Sequence, residues 1–192
     1  MSERSSLSLR TAAEILGDRV AHDVPIGAMT TYRVGGSAAL FIRADSAGDL
    51  DLVARAVAES QVDVLILGLG SNLLIADAGF DGLVVALGEG LAGVTIAEDT
   101  VRAEGAARLP VVARQTVAAS LTGFEWAVGI PGSVGGAVRM NAGGHGSEIS
   151  DVLSRIRVVD LASGEHRDVP SEALDLRYRH SALTPTQVVL WA

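Results

Sequence analysis

GIPGSVGGAVRMNAGGHG occupies residues 129–146, and seven of its eighteen positions are glycine. Glycine loses more conformational freedom on folding than any other residue, roughly 0.5–1 kcal/mol relative to alanine inside a regular element. A run this rich in it implies a compensating role. Ile130, Val134, Ala137, Val138 and Met140 interleave the glycines, which argues for a buried element over a mobile surface loop. Gly129, Gly132, Gly135 and Gly136 let backbone approach a ligand with no Cβ in the way. Pro131 stiffens the approach. Ser133 is placed to cap a short helix through VGGAVRM, and such a helix start favours an anion. Asn141 and Ala142 lead into a second tight turn, AGGHG.

Upstream lies a second glycine loop, LGLGSNLL (67–74). It follows an apolar run of strand length, VDVLILG (62–68), where open α/β sheets tend to place ligands. Consecutive backbone N–H groups in a Gly-x-Gly-Ser-Asn turn form an anion-binding concavity, and spacing alone is equally served by a plain glycine-rich turn. It is not a G-x-G-x-x-G fingerprint, because Leu73 stands where the third glycine would be. A Rossmann nucleotide site is therefore rejected. Two backbone loops of this kind suit a diphosphate held with little help from Lys or Arg.

Around these loops the pattern is α+β. A helix is expected over 6–20, with Leu9, Ala12, Ala13 and Leu16 on one side, and extended chain with turns over 21–36. AALFIRA (38–44) reads as a strand. Residues 46–60 read as a helix, with Ser46 and Asp49 forming a capping box. Residues 62–68 read as a buried strand, completing one βαβ unit. NLLIAD (72–77) and GLVVAL (82–87) follow as strands, 94–106 as a hairpin, and 109–120 as a helix with Pro110 in its first turn. A second hairpin spans 153–170, SEALDLRY (171–178) forms a helical turn, and TQVVLWA closes the chain as a strand. Two lobes meet near residue 90: a first lobe over 20–88 and a second over 89–192, with 1–19 as an N-terminal extension.

Composition bounds the function. With 48% hydrophobic residues in 192, the chain builds a packed core. A net charge of −8 with no basic run argues against nucleic acid. No cysteine is present, so disulfides and thiolate chemistry are excluded, and a reducing cytoplasm fits. The first ten residues lack the apolar core of a signal peptide, and no apolar stretch is long enough to span a bilayer. His22, His145, His166 and His180 show no paired metal-ligand spacing, so no metal site is expected. RYRHS (177–181) offers Arg179, a planar fork suited to a carboxylate, with Tyr178 beside it. By themselves these two read as an ordinary surface arginine beside a core tyrosine.

Taken in order, TTYRVGGSAALF (30–41), LGLGSNLL (67–74), EWAVGIPGSVGGAVRMNAGGHGSEI (125–149) and YRHS (178–181) resemble the UDP-N-acetylenolpyruvoylglucosamine reductases. The resemblance covers roughly residues 20–190. It implies a two-lobed FAD-binding fold of the vanillyl-alcohol-oxidase (PCMH) type. It further implies that Gly68, Leu69, Gly70, Ser71 and Asn72 hold the FAD diphosphate and that Thr30 and Thr31 lie near the flavin. Gly129, Ile130, Ser133, Gly135, Gly136, Ala137 and Asn141 would line the other side. With no Cys, and no His in the GLGSN loop, FAD is expected to bind non-covalently.

The family's reaction passes a hydride from NADPH through FAD to UDP-N-acetylglucosamine enolpyruvate. Arg179 would act as the catalytic arginine stabilising the substrate's developing negative charge, with Tyr178 shaping the substrate pocket. The family's chains continue into a third, substrate-binding domain supplying a proton-donating serine and an assisting glutamate. Neither is assignable here, so the chain is expected to be the FAD-binding part of a longer reductase. The alternative is a non-catalytic flavin- or nucleotide-binding module built on the same fold. After YRHS the family often carries an aromatic and then Lys; Leu183 and Thr184 stand in this chain.

Overall fold

The computed structural model describes residues 3–192. Two parallel pairings build the first sheet. Strand β2 (Ala38–Ala44) and strand β3 (Val64–Leu67) both run parallel to β4 (Phe80–Leu87), and β1 (Ala21–Val24) adds antiparallel to β2, giving the order β1-β2-β4-β3. Parallel neighbours need a crossover. The helix α2 (Ala47–Ser60) supplies it, burying Leu50, Val53, Ala54 and Val57. Its start is the expected capping box: Ser46 Oγ accepts the Asp49 N–H at 3.2 Å, and the Asp49 carboxylate accepts the Ser46 N–H at 3.0 Å.

A helix α1 (Glu3–Leu16) begins earlier than expected and gives way to a 3-10 turn at Gly17–Arg19. It packs Ala12 and Leu16 into the same core as α2. The described part of the proposed extension is thus built into the first lobe, and Met1 and Ser2 lie outside the described residues.

Two expectations need correction. Residues 62–68 were expected to be fully buried, but β3 is an edge strand with only Leu67 buried. Val64 and Ile66 pack on the core shared by α1 and α2, and Leu65 and Leu67 on a smaller core with Ile26 and Phe41. Residues 72–77 form no strand. Their backbone goes elsewhere: the Gly36 and Gly79 N–H groups both donate to the Ala76 carbonyl (2.9 and 2.8 Å). Ile75 drops into a small core with Ile26, Phe41, Leu67 and Val84. An apolar run of strand length cannot be told from such an anchored loop by pattern alone.

In the second half, β5 (Val94–Ala97) and β6 (Thr100–Ala103) pair as the expected hairpin. The helix α3 (Leu109–Ala118) starts with Pro in its first turn, and α4 (Val134–Met140) starts at Ser133. A two-residue ribbon pairs β7 (Gly143–Gly144) with β8 (Ser147–Glu148). The last sheet places β9 (Arg155–Asp160) between β10 (His166–Pro170) and β11 (Gln187–Trp191), all antiparallel. Its two faces serve different cores. Val159, Leu161, Val188 and Leu190 pack with α1 and α2, whereas Ile156, Val158 and Val189 pack with α3 and α4. Among the described residues no helix is long and apolar enough to cross a membrane.

Asp49 joins the capping box to an ion pair with Arg19. Burial opposes its charge, but hydrogen bonds from Asp45, Arg19 and Ser46 and the arginine's charge outweigh that and hold its carboxyl below the ordinary aspartate value. A lowered folded pKa contributes stability above the unfolded value, and that contribution is lost as pH falls through the folded one. Asp49→Asn is therefore expected to cost about 1–2 kcal/mol at pH 7. The gap from the parent should close below about pH 4, as read from urea midpoints across that range.

Candidate functional site

Three segments meet where β3 ends. Gly70 stands at φ +66 with its Cα against the residue 29–30 backbone, so an added Cβ would lie 2.5 Å from the Met29 carbonyl oxygen. The Gly70 carbonyl accepts the Thr31 N–H at 3.1 Å. From the other half, the Ser71 hydroxyl donates to the Pro131 carbonyl at 3.3 Å, and the Leu109 N–H donates to the Gly132 carbonyl at 3.1 Å. The two glycine-rich loops therefore touch and face each other across a cleft.

The distribution of donors decides what the cleft can hold. Among the described residues, the backbone N–H groups of Leu69, Gly70, Ser71 and Asn72 have no partner within the protein, and neither do those of Gly132 and Ser133. A concavity of successive free N–H groups is an anion site. The start of α4 is different, and the helix-terminus expectation is corrected. Val134 and Gly135 donate to the carbonyls of Ala107 (2.8 Å) and Gly105 (2.9 Å), Gly136 donates to Ser133 Oγ (3.4 Å), and Ala137 to the Ser133 carbonyl (2.9 Å). That helix end has already spent its donors.

The central cleft measures about 360 Å3 and runs between Leu69–Asn72 and Ile130–Ala137, with Arg179 at its edge. A depression of about 310 Å3 adjoins it through Ile66, Gly68, Ser133 and Gly136, between the apolar edge of β3 and residues 183–189. Another of about 340 Å3 continues past Gly68 and Leu69 towards Met29, Arg43 and Arg108. The three meet around Gly68 as one branched trough, with the unpartnered N–H groups in the central cleft, a mostly apolar slot towards residues 183–189, and Arg43, Glu89 and Arg108 on the branch towards Met29.

Of the expected residues, Gly68, Leu69, Gly70, Ser71, Asn72, Ile130, Ser133, Gly136, Ala137 and Arg179 line the central cleft, and Gly135 lines the adjoining depression. Gly135 is small for a second reason: its Cα lies against Gly105 and Val189. Other expected residues stand back. Thr30 is buried and its hydroxyl donates to the Gly27 carbonyl at 2.9 Å; Thr31 engages the loop through its backbone. Gly129 is exposed near His145 and does not line the cleft. Asn141 is buried at 3% exposure, donating to the Arg177 carbonyl (3.3 Å) and accepting the Ser150 N–H (3.0 Å). Its side chain braces the fold. Tyr178 is 89% exposed and lies outside the cleft.

Arg179 donates to Asn72 Oδ1, linking the arginine turn to the glycine loop. Arg139, on α4, borders both the cleft and its neighbour, and reading by motif passed over it. The available signal was its position as the one formally charged residue in the 129–146 run. Among the described residues no cluster of His, Asp and Glu has the makings of a metal site.

The cleft between an α/β lobe and a lobe of antiparallel strands, lined by two glycine-rich loops, is the arrangement of FAD-binding proteins of the vanillyl-alcohol-oxidase fold type. Residues 38–169 match the FAD binding domain family, and the chain belongs to it. The sequence is 42% identical over 170 residues to a UDP-N-acetylenolpyruvoylglucosamine reductase from Synechococcus sp. (strain RCC307), covering 88% of this chain and 55% of that one. It is 40% identical over 183 residues to the protein of that name from Acidiphilium cryptum, covering 95% and 59%. The chain thus spans a little over half the length of these relatives.

The crystal structure of the same-named reductase (MurB) from Thermus caldophilus superposes with a TM-score of 0.77 at 31% identity, covering 90% of this chain and 60% of that one. A VAO-type flavoprotein from Myceliophthora thermophila, at 14% identity and TM-score 0.57 over 81% of this chain and 31% of that one, shares the fold.

Gly136 offers a clean test of the cleft. A Cβ there meets only Ser133 Oγ, at 3.5 Å, and Gly is about 1 kcal/mol poorer in a helix than Leu or Ala. Gly136→Leu is expected to keep or raise the melting temperature while filling the cleft. Its FAD dissociation constant should rise more than tenfold, measured by flavin fluorescence titration beside a circular-dichroism melt.

Proposed function

We propose that the chain is the FAD-binding part of an NADPH-dependent reductase that converts UDP-N-acetylglucosamine enolpyruvate to UDP-N-acetylmuramate, a precursor of peptidoglycan and so of the cell wall that sets cell shape and division. The observation that carries this reading is the set of free N–H groups on two facing loops with Arg179 at the edge of the same cleft. A diphosphate needs many donors in a small arc, and Leu69–Asn72 together with Gly132 and Ser133 provide them. The mostly apolar slot towards residues 183–189 suits a flat ring system. No His or Cys lines the trough, so FAD is held non-covalently.

When bound, FAD would supply the two-electron chemistry that links NADPH to the enolpyruvyl double bond, whose terminal carbon gains the hydride and whose adjacent carbon gains a proton. The chain's own part is electrostatic. As hydride adds, negative charge spreads onto the substrate carboxylate. The Arg179 fork is exposed, lies at the cleft edge and is shaped to take two carboxylate oxygens. A preorganised donor of this kind is commonly worth about 3–4 kcal/mol. NADPH and UDP-sugars are cytoplasmic metabolites, and the reading places the protein there.

The purified chain is expected to carry a flavin spectrum through gel filtration and to bleach under anaerobic NADPH. Reoxidation by the enolpyruvyl substrate should slow 10²–10³-fold in Arg179→Met. Bound flavin that neither bleaches nor responds to substrate supports a binding module without catalysis. A folded chain that takes up no added FAD overturns the reading.

A further inference from the structure

Arg179 sits at the tip of a strap whose two feet are tied to the end of α4. Arg139 Nη1 donates to the carbonyls of Ser181 (3.4 Å) and Leu183, and the Ser181 hydroxyl donates back to the Arg139 carbonyl at 2.8 Å. The other foot is held where Asn141 Nδ2 meets the Arg177 carbonyl at 3.3 Å. Between the feet, Arg177 and His180 exchange both backbone hydrogen bonds (3.2 and 2.9 Å). That leaves Tyr178 and Arg179 as a two-residue tip, with Arg179 in the left-handed region at φ 57.

We propose that Arg139 is a positioning residue, setting the strap so that the Arg179 fork overhangs the cleft where an anionic substrate's carboxylate would lie. The proposal rests on the reading of Arg179 as the arginine that meets that carboxylate. Ser181 and Leu183 are buried at 2% and 5% exposure, so the strap's second foot cannot replace lost donors with water cheaply. One guanidinium serves both carbonyls, whereas a lysine ammonium on a flexible stem is a compact point donor. Arg139 thereby couples the helix that walls the cofactor cleft to the residue that faces the substrate.

The test uses the 192-residue chain with Arg139→Met and Arg139→Lys. Hydrogen exchange at the His180 amide is expected to speed at least tenfold in the Met variant and less in the Lys variant, with α2 amides unaffected. In the FAD-loaded chain, affinity for UDP-N-acetylglucosamine enolpyruvate, read from the shift in flavin absorption, should fall about tenfold in Arg139→Met. The Arg139→Met/Arg179→Met double variant should be no weaker than Arg179→Met alone, because a positioning residue has nothing left to position. Unchanged exchange at His180 overturns the proposal. So does a full second loss in the double variant, which would make Arg139 a direct ligand contact. Should the parent chain bind neither FAD nor substrate, the functional reading falls, and the exchange measurement alone decides the positioning role.

Discussion

The approach of Gly70 to the backbone of Met29 and Thr30 is the constraint on which the site depends. It leaves no room for a Cβ and calls for a positive φ, so this turn has one residue type available to it. Because the Gly70 carbonyl is committed to the Thr31 N–H, the loop is anchored from behind. Four consecutive N–H groups, Leu69 to Asn72, then remain without partners among the described residues, on a turn that lines the cleft. Anchoring matters because an anion site made of backbone amides has no long side chain to adapt. Its geometry is only as good as the loop that carries it.

The second half of the cleft is brought opposite by the last strand. β11 feeds Val188 and Leu190 into one core and Val189 into another. It also takes the Gly105 N–H on the Leu190 carbonyl at 2.7 Å. Gly105 in turn accepts the Gly135 N–H and lies against Gly135 itself. A chain of backbone contacts thus runs from the shared sheet to α4 and sets the height of Gly132 and Ser133 across from the first loop. The smallness of Gly105 and Gly135 serves packing of lobe on lobe, whereas that of Gly136 serves the cleft. Two adjacent glycines in one helix have different causes.

Much of this was legible from residue patterns. The Ser46–Asp49 box, Pro110 in the first turn of α3 and Ser133 before α4 are local devices whose partners lie within a turn, and each formed as expected. Order-of-motif reading also brought together ten residues that line the cleft. What pattern could not show depends on distant partners. The α4 N–H groups are spent on Ala107 and Gly105, far back in sequence, so a good anion motif lost its donors to tertiary packing. Asn141 sits inside a glycine-rich motif yet faces away, holding Arg177 and Ser150. Residues 72–77 look like a strand but have their carbonyl at Ala76 claimed by Gly36 and Gly79.

Charge explains the division of labour that results. The chain carries −8 overall, and its field opposes any dianion that approaches. Holding a diphosphate by fixed amide dipoles meets this without spending cations that would also need desolvation. Two arginines line the central cleft, both on the strap side: Arg179 at the tip, where charge changes during the proposed reaction, and Arg139 at its foot, tying down the support. Neutral donors suit the diphosphate, whose own charge is constant through the cycle. A guanidinium suits the substrate end of the proposed reaction, because a full charge responds more strongly to a developing anion than a dipole at the same distance.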